Sequence, residues 1–296
     1  MQQPKKNLRL GSMGIEYSII TVCRNASQDI GRTIESVCRQ QVDMSLVEMV
    51  IVDGASTDNT AEVVQGYESR AREVGLTLRF RSEPDQGIYD AMNKGATRAQ
   101  GTWCLFLNAG DIFFNEQSLN RLVQVDKHAD TVVYGDYEMH YRGKYRYCRA
   151  TDADKLTFNQ GTEHKMGFCH QSALVRRGYL LAHPYSTHYR IAGDHDFFLR
   201  AFRAGAHFRR VPAIICIFDM EGLSVCNYQL TLKEATDVIF ENGLISREEH
   251  DAQLQALQRK LKIRSLLPKC LIRLRRWLVM WRDTRSWRSQ PYEPQN

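Results

Sequence analysis

The sequence predicts an α/β protein built on a mostly parallel central sheet flanked by helices. Two observations predict it: β-branched strand-like runs alternate with amphipathic helical stretches from Tyr17 to Leu107, and each run ends in a polar loop of small residues. With 296 residues, 43% hydrophobic and 25% charged, the chain can bury a large core and is neither disordered nor fibrous.

Tyr17 to Cys23 (YSIITVC) reads as a first strand, and Ile30 to Gln40 as a helix with apolar positions at Ile30, Ile34, Val37 and Cys38. Val47 to Asp53 (VEMVIVD) is a second strand, Thr60 to Val74 a helix and Leu76 to Ser82 a third strand. Ile88 to Ala99 follows as a helix capped by Gly101, and Trp103 to Leu107 (WCLFL) as a fourth strand. Asp130 to Tyr147 holds two strand-like runs around Arg142-Gly143, an antiparallel hairpin. A helix begins near Gly193, Ala213 to Phe218 (AIICIF) is a buried strand, and Asp251 to Ile263 is helical.

Ligands in parallel sheets bind beyond the carboxyl ends of the strands, so the loops there carry the chemistry. They are Arg24-Asn25-Ala26-Ser27, Asp53-Gly54-Ala55-Ser56-Thr57-Asp58-Asn59-Thr60, Glu83-Pro84-Asp85-Gln86-Gly87 and Asn108-Ala109-Gly110-Asp111. Taken singly, Asp58 or Thr60 reads as a helix N-cap and Asp53-Gly54 as a tight turn. Four consecutive strand ends that deliver carboxylates or amides read instead as one site. No G-x-G-x-x-G or G-x-x-x-x-G-K-[ST] is present, so neither a dinucleotide fingerprint nor a P-loop explains it. An acidic rim repels a bare diphosphate unless a divalent cation stands between them, which predicts a metal-assisted nucleotide site.

The eight cysteines (23, 38, 104, 148, 169, 216, 226 and 270) include no C-x-x-C pair and are expected to be reduced. Residues 1–14 lack an apolar h-region and read as a mobile leader. No apolar run is long enough to span a bilayer; the longest in the tail is Trp277 to Trp281.

The segments SIITVCRN, VIVDGASTDNT, SEPDQGIYDAMNKGATRAQG and WCLFLNAGD, in this order and spacing, resemble the family 2 glycosyltransferases of the GT-A fold. The nearest likeness is to bacterial exopolysaccharide enzymes of the colanic acid and amylovoran type. The resemblance covers Tyr17 to Asn227. It implies residues 15–228 as a nucleotide-diphospho-sugar transferase domain and 229–296 as a basic helical extension. It implies that Thr21, Arg24 and Asn25 line the nucleotide pocket and that Asp53 hydrogen-bonds the base, with Asp58 in support. Asp85, Gly87, Asn93 and Gly95 fit the family pattern N-x-G-x-x-x-A-x-N-x-G with Asp85 replacing Asn, and Asn108 joins the donor site. The family commonly ends its fourth strand in D-x-D-D; here Asn108-Ala109-Gly110-Asp111 leaves Asp111 as the one metal ligand, for Mg²⁺ or Mn²⁺.

The resemblance extends to Phe168-Cys169-His170-Gln171, where His170 and Gln171 border the donor sugar, and to Ile191-Ala192-Gly193-Asp194-His195-Asp196-Phe197-Phe198-Leu199-Arg200, where Asp194 takes the place of the catalytic base. As a residue alone, Asp194 reads equally as a helix cap. Asp196 and Arg200 are expected to support it, and Glu221-Gly222-Leu223-Ser224 matches a loop that closes over the diphosphate in relatives. The implied reaction is inverting transfer of a sugar from a nucleotide-sugar donor to a lipid-linked or oligosaccharide acceptor.

The net charge of +6 is unevenly placed: Arg259 to Arg288 contains eleven Lys/Arg and one acid, leaving 29 bases against 33 acids elsewhere. Leu271, Leu274, Leu278 and Trp281 share one face of a helix expected over Lys269 to Trp287. Basic charge with Leu and Trp predicts a helix lying on anionic lipid, hence a cytoplasmic enzyme peripheral at the inner face of the plasma membrane. A nucleic-acid partner is not expected, because no basic, aromatic-studded fold face accompanies the tail. A nucleotide-binding regulator without transferase activity is the remaining alternative.

Overall fold

Strand β1 (Tyr17–Cys23) forms because Ile19, Ile20 and Val22 can be buried on both faces at once, and it is buried along its whole length. The computed structural model describes residues 14–157, 166–220, 227–265 and 287–292. β1 pairs in parallel with β2 (Val47–Asp53) on one side and β4 (Trp103–Phe106) on the other, and β3 (Thr77–Ser82) extends the sheet beyond β2. Ile19 and Ile51 face one apolar cluster with Ile30, Ile34 and Val37 of α1 (Ile30–Cys38). Ile20, Val22 and Val52 face the other, with Tyr89, Met92 and Ala96 of α4 (Ile88–Arg98). The sheet is thus covered on both faces, as its continuous apolar strands require.

Several boundaries differ from the sequence reading, three of them with a local cause. The helix expected over Thr60 to Val74 is two, α2 (Thr60–Gly66) and α3 (Glu68–Val74), broken at Tyr67. Gly66 weakens the helix there, and the Tyr67 ring sits against Gly31 of α1, where a Cβ would meet it at 3.2 Å. Leu76 precedes β3, its N–H closing α3 on the Ala71 carbonyl. α4 ends at Arg98, where Ala99 turns extended; Gly101 is no cap, and its N–H donates to Ser18 Oγ at 2.9 Å.

The second half reverses strand direction. It comprises β5 (Ile112–Phe113), α5 (Ser118–Val123), β6 (Val132–Tyr141), β7 (Lys144–Cys148), β8 (Ala173–Arg176), α6 (Arg177–Ala182), α7 (Gly193–Arg203), β9 (Phe208–Asp219), α8 (Tyr228–Glu241) and α9 (Arg247–Ser265). β8 runs antiparallel to both β4 and β6, and β9 runs parallel to β6 and antiparallel to β5. Among the described residues the sheet order is β3-β2-β1-β4-β8-β6-β9-β5, with β7 paired to β6. The hairpin expected at Arg142-Gly143 is present, both residues taking the positive φ that its tight turn needs.

α8 belongs to the packed body, although the expected extension begins at residue 229. Val238 and Ile239 are fully buried in the cluster that contains Phe197 and Phe198 of α7. Glu234, 6% exposed, accepts the backbone N–H groups of Arg190, Ile191 and Ala192 at 2.8–3.1 Å. One buried carboxylate on α8 therefore fixes the turn that starts α7. Further along, Trp287 to Tyr292 is back on the body. Arg288 and Tyr145 exchange backbone hydrogen bonds, Tyr292 N–H donates to Glu138 at 3.0 Å, and its ring stacks on Tyr147. The basic stretch is anchored on the body at this end. The helix expected over Lys269 to Trp287 and the loop Glu221 to Ser224 fall almost wholly outside the described residues.

Glu234→Ala leaves buried N–H groups without an acceptor, which costs about 1–3 kcal/mol for each group that stays unsatisfied. Urea unfolding should show a loss of at least about 2 kcal/mol, whereas a change below about 0.5 kcal/mol, typical of surface substitutions, would contradict this anchoring.

Candidate active site

The loops that follow β1 and β4, the start of α1, the segment from Met166 to Gln171 and the head of α7 enclose a cavity of about 550 Å³. That volume suits a ligand of cofactor size. Of the residues expected at a site, Arg24, Asn25, Asn108, Asp111, His170, Gln171 and Asp194 line it.

The remaining five are not among the residues that line it. Thr21, expected to line the pocket, is fully buried and donates its hydroxyl to the Leu107 carbonyl at 2.7 Å. This fastens the end of β1 to the end of β4. Asp53 is 1% exposed and accepts from Ser56 N–H at 2.9 Å and from Ser82 Oγ at 2.6 Å. Asp58 accepts from the Thr60 hydroxyl, which does most to pull its carboxyl down to about 2, and from Ser27 N–H and Thr60 N–H, both at 3.1 Å. Asp85 accepts from Gly87 N–H at 2.9 Å, and Asn93 holds both the N–H and the carbonyl of Tyr185 at 2.9 Å. Hydrogen bonds into these loops keep the strand ends in place. The loop after β1 is held at Asn25, in the left-handed region at φ 52°, with its side-chain oxygen accepting Thr57 N–H.

Asp194 is the second residue of α7, in its first turn, where the helix dipole favours a carboxylate. Its Oδ2 lies 3.0 Å from His170 Nδ1, and its Oδ1 accepts from Tyr89 OH at 3.1 Å and from His195 N–H at 2.9 Å. Gly193 permits this approach, because a Cβ there would fall 2.7 Å from the Tyr89 ring. The N-cap is Ala192, so Asp194 does not cap the helix. Burial raises the Asp194 carboxyl, but the hydrogen bond and charge of His170, aided by His195, bring it below the ordinary carboxylate value. For His170, burial pulls the imidazole down and the Asp194 contact outweighs it, so the ring ends above its usual value. Nε2 of the same ring lies 3.4 Å from Asn108 Nδ2. The side chains of Asn108, His170 and Asp194 thus form a chain along the cavity wall.

Asp196 and Arg200, expected to support the base, pair at 2.8 Å and clasp α7 to Asn242 and to the Pro184 carbonyl, away from the cavity.

Asp111, expected to hold Mg²⁺ or Mn²⁺, is 4% exposed. Its Oδ1 accepts Asp219 N–H and its Oδ2 accepts Gln171 Nε2, both at 2.9 Å. Burial, with the nearby Asp219 charge, pushes its carboxyl up to about 6 against these hydrogen bonds and His170. Gly110 beside it offers no ligand, and the carboxylate of Asp219 already receives Arg32 Nη2 at 2.6 Å. No group of three or more His, Cys, Asp or Glu able to hold a metal occurs among the described residues. One engaged carboxylate beside a guanidinium does not fit a divalent-ion site.

The rim is also less acidic than its loops suggest. Arg24, Arg32 and Arg190 line the cavity together with Asp29, Asp111, Asp194 and Asp219. Sequence reasoning missed Arg32, which occupies the polar face of an amphipathic helix, and Tyr89, which lies inside a quoted motif without a signal of its own. Cys23, Cys38, Cys104, Cys148, Cys169 and Cys216 are free thiols, as expected.

Residues 18–182 match the family model described as "Glycosyl transferase family 2". A PGL/p-HBAD biosynthesis glycosyltransferase of Mycobacterium tuberculosis is 35% identical over 189 residues, covering 63% of this chain and 69% of that one. A putative teichuronic acid biosynthesis glycosyltransferase of Bacillus subtilis is 36% identical over 94 residues, covering 32% and 35%. Among solved structures, a mannosyltransferase of Pyrobaculum calidifontis, in complex with GDP-Man and Mn²⁺, aligns with a TM-score of 0.61 at 13% identity, covering 91% of this chain and 81% of that one. S. aureus TarS 1–349 in complex with UDP-GlcNAc aligns with a TM-score of 0.57 at 16% identity, covering 82% and 72%. The family match spans more than half the chain and the likeness to these structures extends over most of it, so this chain belongs to glycosyl transferase family 2 and is a glycosyltransferase of GT-A fold.

Proposed function

We propose that the chain transfers a sugar, with inversion, from a nucleoside-diphosphate donor to a hydroxyl of a lipid-linked or oligosaccharide acceptor in the synthesis of a cell-surface polysaccharide. The observation that carries this reading is the Asp194 carboxylate, held ionised by His170 on the wall of a cavity that the β1 and β4 loops also line. The ligands bound in the solved neighbours, UDP-GlcNAc and GDP-Man, support a nucleotide-sugar donor. The names of the mycobacterial and Bacillus relatives support a glycolipid or envelope-polysaccharide setting.

In the proposed step Asp194 takes the proton of the acceptor hydroxyl. The acceptor oxygen forms its bond to the anomeric carbon from the face opposite the nucleotide. The bond from that carbon to the diphosphate breaks, and its electron pair leaves on the diphosphate oxygen. General-base help of this kind is worth about 10²–10⁴ in rate. His170 keeps the base unprotonated despite its burial, and Tyr89 orients its other oxygen. Arg24, Asn25 and Asn108, from the loops after β1 and β4, line the donor side.

The acceptor's lipid link and the peripheral membrane location rest on the basic stretch from Arg259 to Arg288, where each Lys or Arg near an anionic surface adds about 1 kcal/mol. Among the described residues no helix is long and apolar enough to cross a membrane.

A panel of UDP-, GDP- and dTDP-sugars scored by nucleotide release tests the transfer and names the donor; no release with any of them, with acceptor lipid extract present, would contradict it. Asp194→Asn should retain nucleotide binding and lose transfer by about 10²–10⁴. Turnover near the wild-type rate would remove Asp194 from the role of base. In His170→Gln the burial of Asp194 acts without its main opponent, so the carboxyl rises and the acid limb of the kcat/KM profile should move to higher pH. An acid limb at the same pH would show that His170 does not set the state of the base.

A further inference from the structure

Arg32 stands where the family's fourth-strand motif commonly places a carboxylate for the metal. That position is Gly110, at φ 101°, a backbone region open to glycine. A Cβ built on it would fall 3.3 Å from Arg32 Nη2 and 3.8 Å from Asp29 Cβ. The missing side chain therefore makes room for a guanidinium, and a positive group stands among carboxylates where the common motif adds a further carboxylate. Arg32 is held to this place from two sides: Nη2 meets Asp219 at 2.6 Å, at the end of β9, and Asp29 at 3.7 Å, one helical turn back. Its Nε and Nη1 make no hydrogen bond among the described residues, and its side chain is 41% exposed where it lines the cavity. A guanidinium so placed presents the fork that pairs with phosphate oxygens in a bidentate manner.

A leaving nucleoside diphosphate gains charge as its bond to the sugar breaks, and preorganised positive charge at that point lowers the barrier. Asp111, with both oxygens engaged, and Gly110, with no side chain, do not supply that charge through a chelated ion. We propose that the Arg32 guanidinium meets the diphosphate of the donor and takes the electrostatic role of a divalent ion, so that donor binding and transfer persist without metal. This rests on the transferase reading above for the identity of the ligand. Asp219 keeps the guanidinium aimed across the loop of Gly110 before the donor arrives.

The alternative is a surface ion pair between Arg32 and Asp219 with no ligand role, of the kind worth at most about 1 kcal/mol. Calorimetric titration of the full chain with UDP and with GDP, in EDTA and in Mn²⁺, separates the two. For the nucleotide that binds, the affinities in EDTA and in Mn²⁺ should agree within about twofold, and Arg32→Gln should weaken both by about tenfold or more. Arg32→Lys should recover part of the loss, because it restores charge without the fork. Thermal unfolding of the variants near the wild-type midpoint excludes misfolding as the cause. Unchanged affinity in Arg32→Gln, or wild-type binding that disappears in EDTA and returns with Mn²⁺, would overturn the assignment. Nucleotide release from a sugar donor only in Mn²⁺ would overturn it while leaving the transferase reading intact. Binding in EDTA that depends on Arg32, without release from any donor, would support the diphosphate site and refute transfer.

Discussion

A carboxylate half-buried at the wall of a cavity is ionised only if something nearby favours its charge, and here the main partner is an imidazole. His170 and Asp194 meet at 3.0 Å, although 24 positions separate them in the chain. The meeting requires that the turn before β8 and the head of α7 converge on the end of β4. The rest of the fold serves that convergence: Thr21 ties β1 to the end of β4, Asn93 braces Tyr185, and Glu234 gathers the three N–H groups before α7. Tyr89 closes the arrangement from α4, its ring against Gly193 and its hydroxyl on Asp194. Loss of Thr21, Asn93 or Glu234 would loosen the pair without touching either member, whereas loss of Tyr89 would also remove a hydrogen bond to Asp194.

The first half of the fold was legible in the sequence because its signals are local. β1, β2 and β4 are apolar runs of strand length, and α1 and α4 carry helical apolar spacing, so each element shows within its own window. The break at Tyr67 was not legible, since it depends on a ring packing against Gly31 of another helix. The motifs pointed to the loops but did not separate residues facing the cavity from residues holding the loops. Asp53 and Asn93 satisfy their hydrogen bonds within the protein, a distinction that exists only once the strands are assembled. Glu234 reads in sequence as an exposed helix position and is in fact buried beneath three backbone donors. Arg32 reads in the same way and lines the cavity.

Charge follows the same division. Seen as a list of loops, the rim is acidic and calls for a cation from outside. In three dimensions the chain brings Arg24, Arg32 and Arg190 to the same cavity, so positive charge is already built in. Gly110 and Arg32 together mark how this chain departs from the common family pattern: one position loses a carboxylate and a neighbouring helix fills the space with a guanidinium. The net +6 of the whole protein conceals both this internal balance and the separate basic stretch that ends at Arg288, where the backbone bridges to Tyr145.

The most direct test of the central interaction is an NMR titration of the His170 ring in the wild type and in Asp194→Asn. With the carboxylate present, the midpoint should lie above the ordinary histidine value of about 6.5. With Asn at 194, burial, the largest influence on the ring, is opposed only by the smaller effects of Cys169 and Asp111, and the midpoint should fall below that value. A midpoint unchanged by the substitution would show that the two groups are neighbours without being partners, and would contradict the assignment of Asp194 as a base maintained by His170.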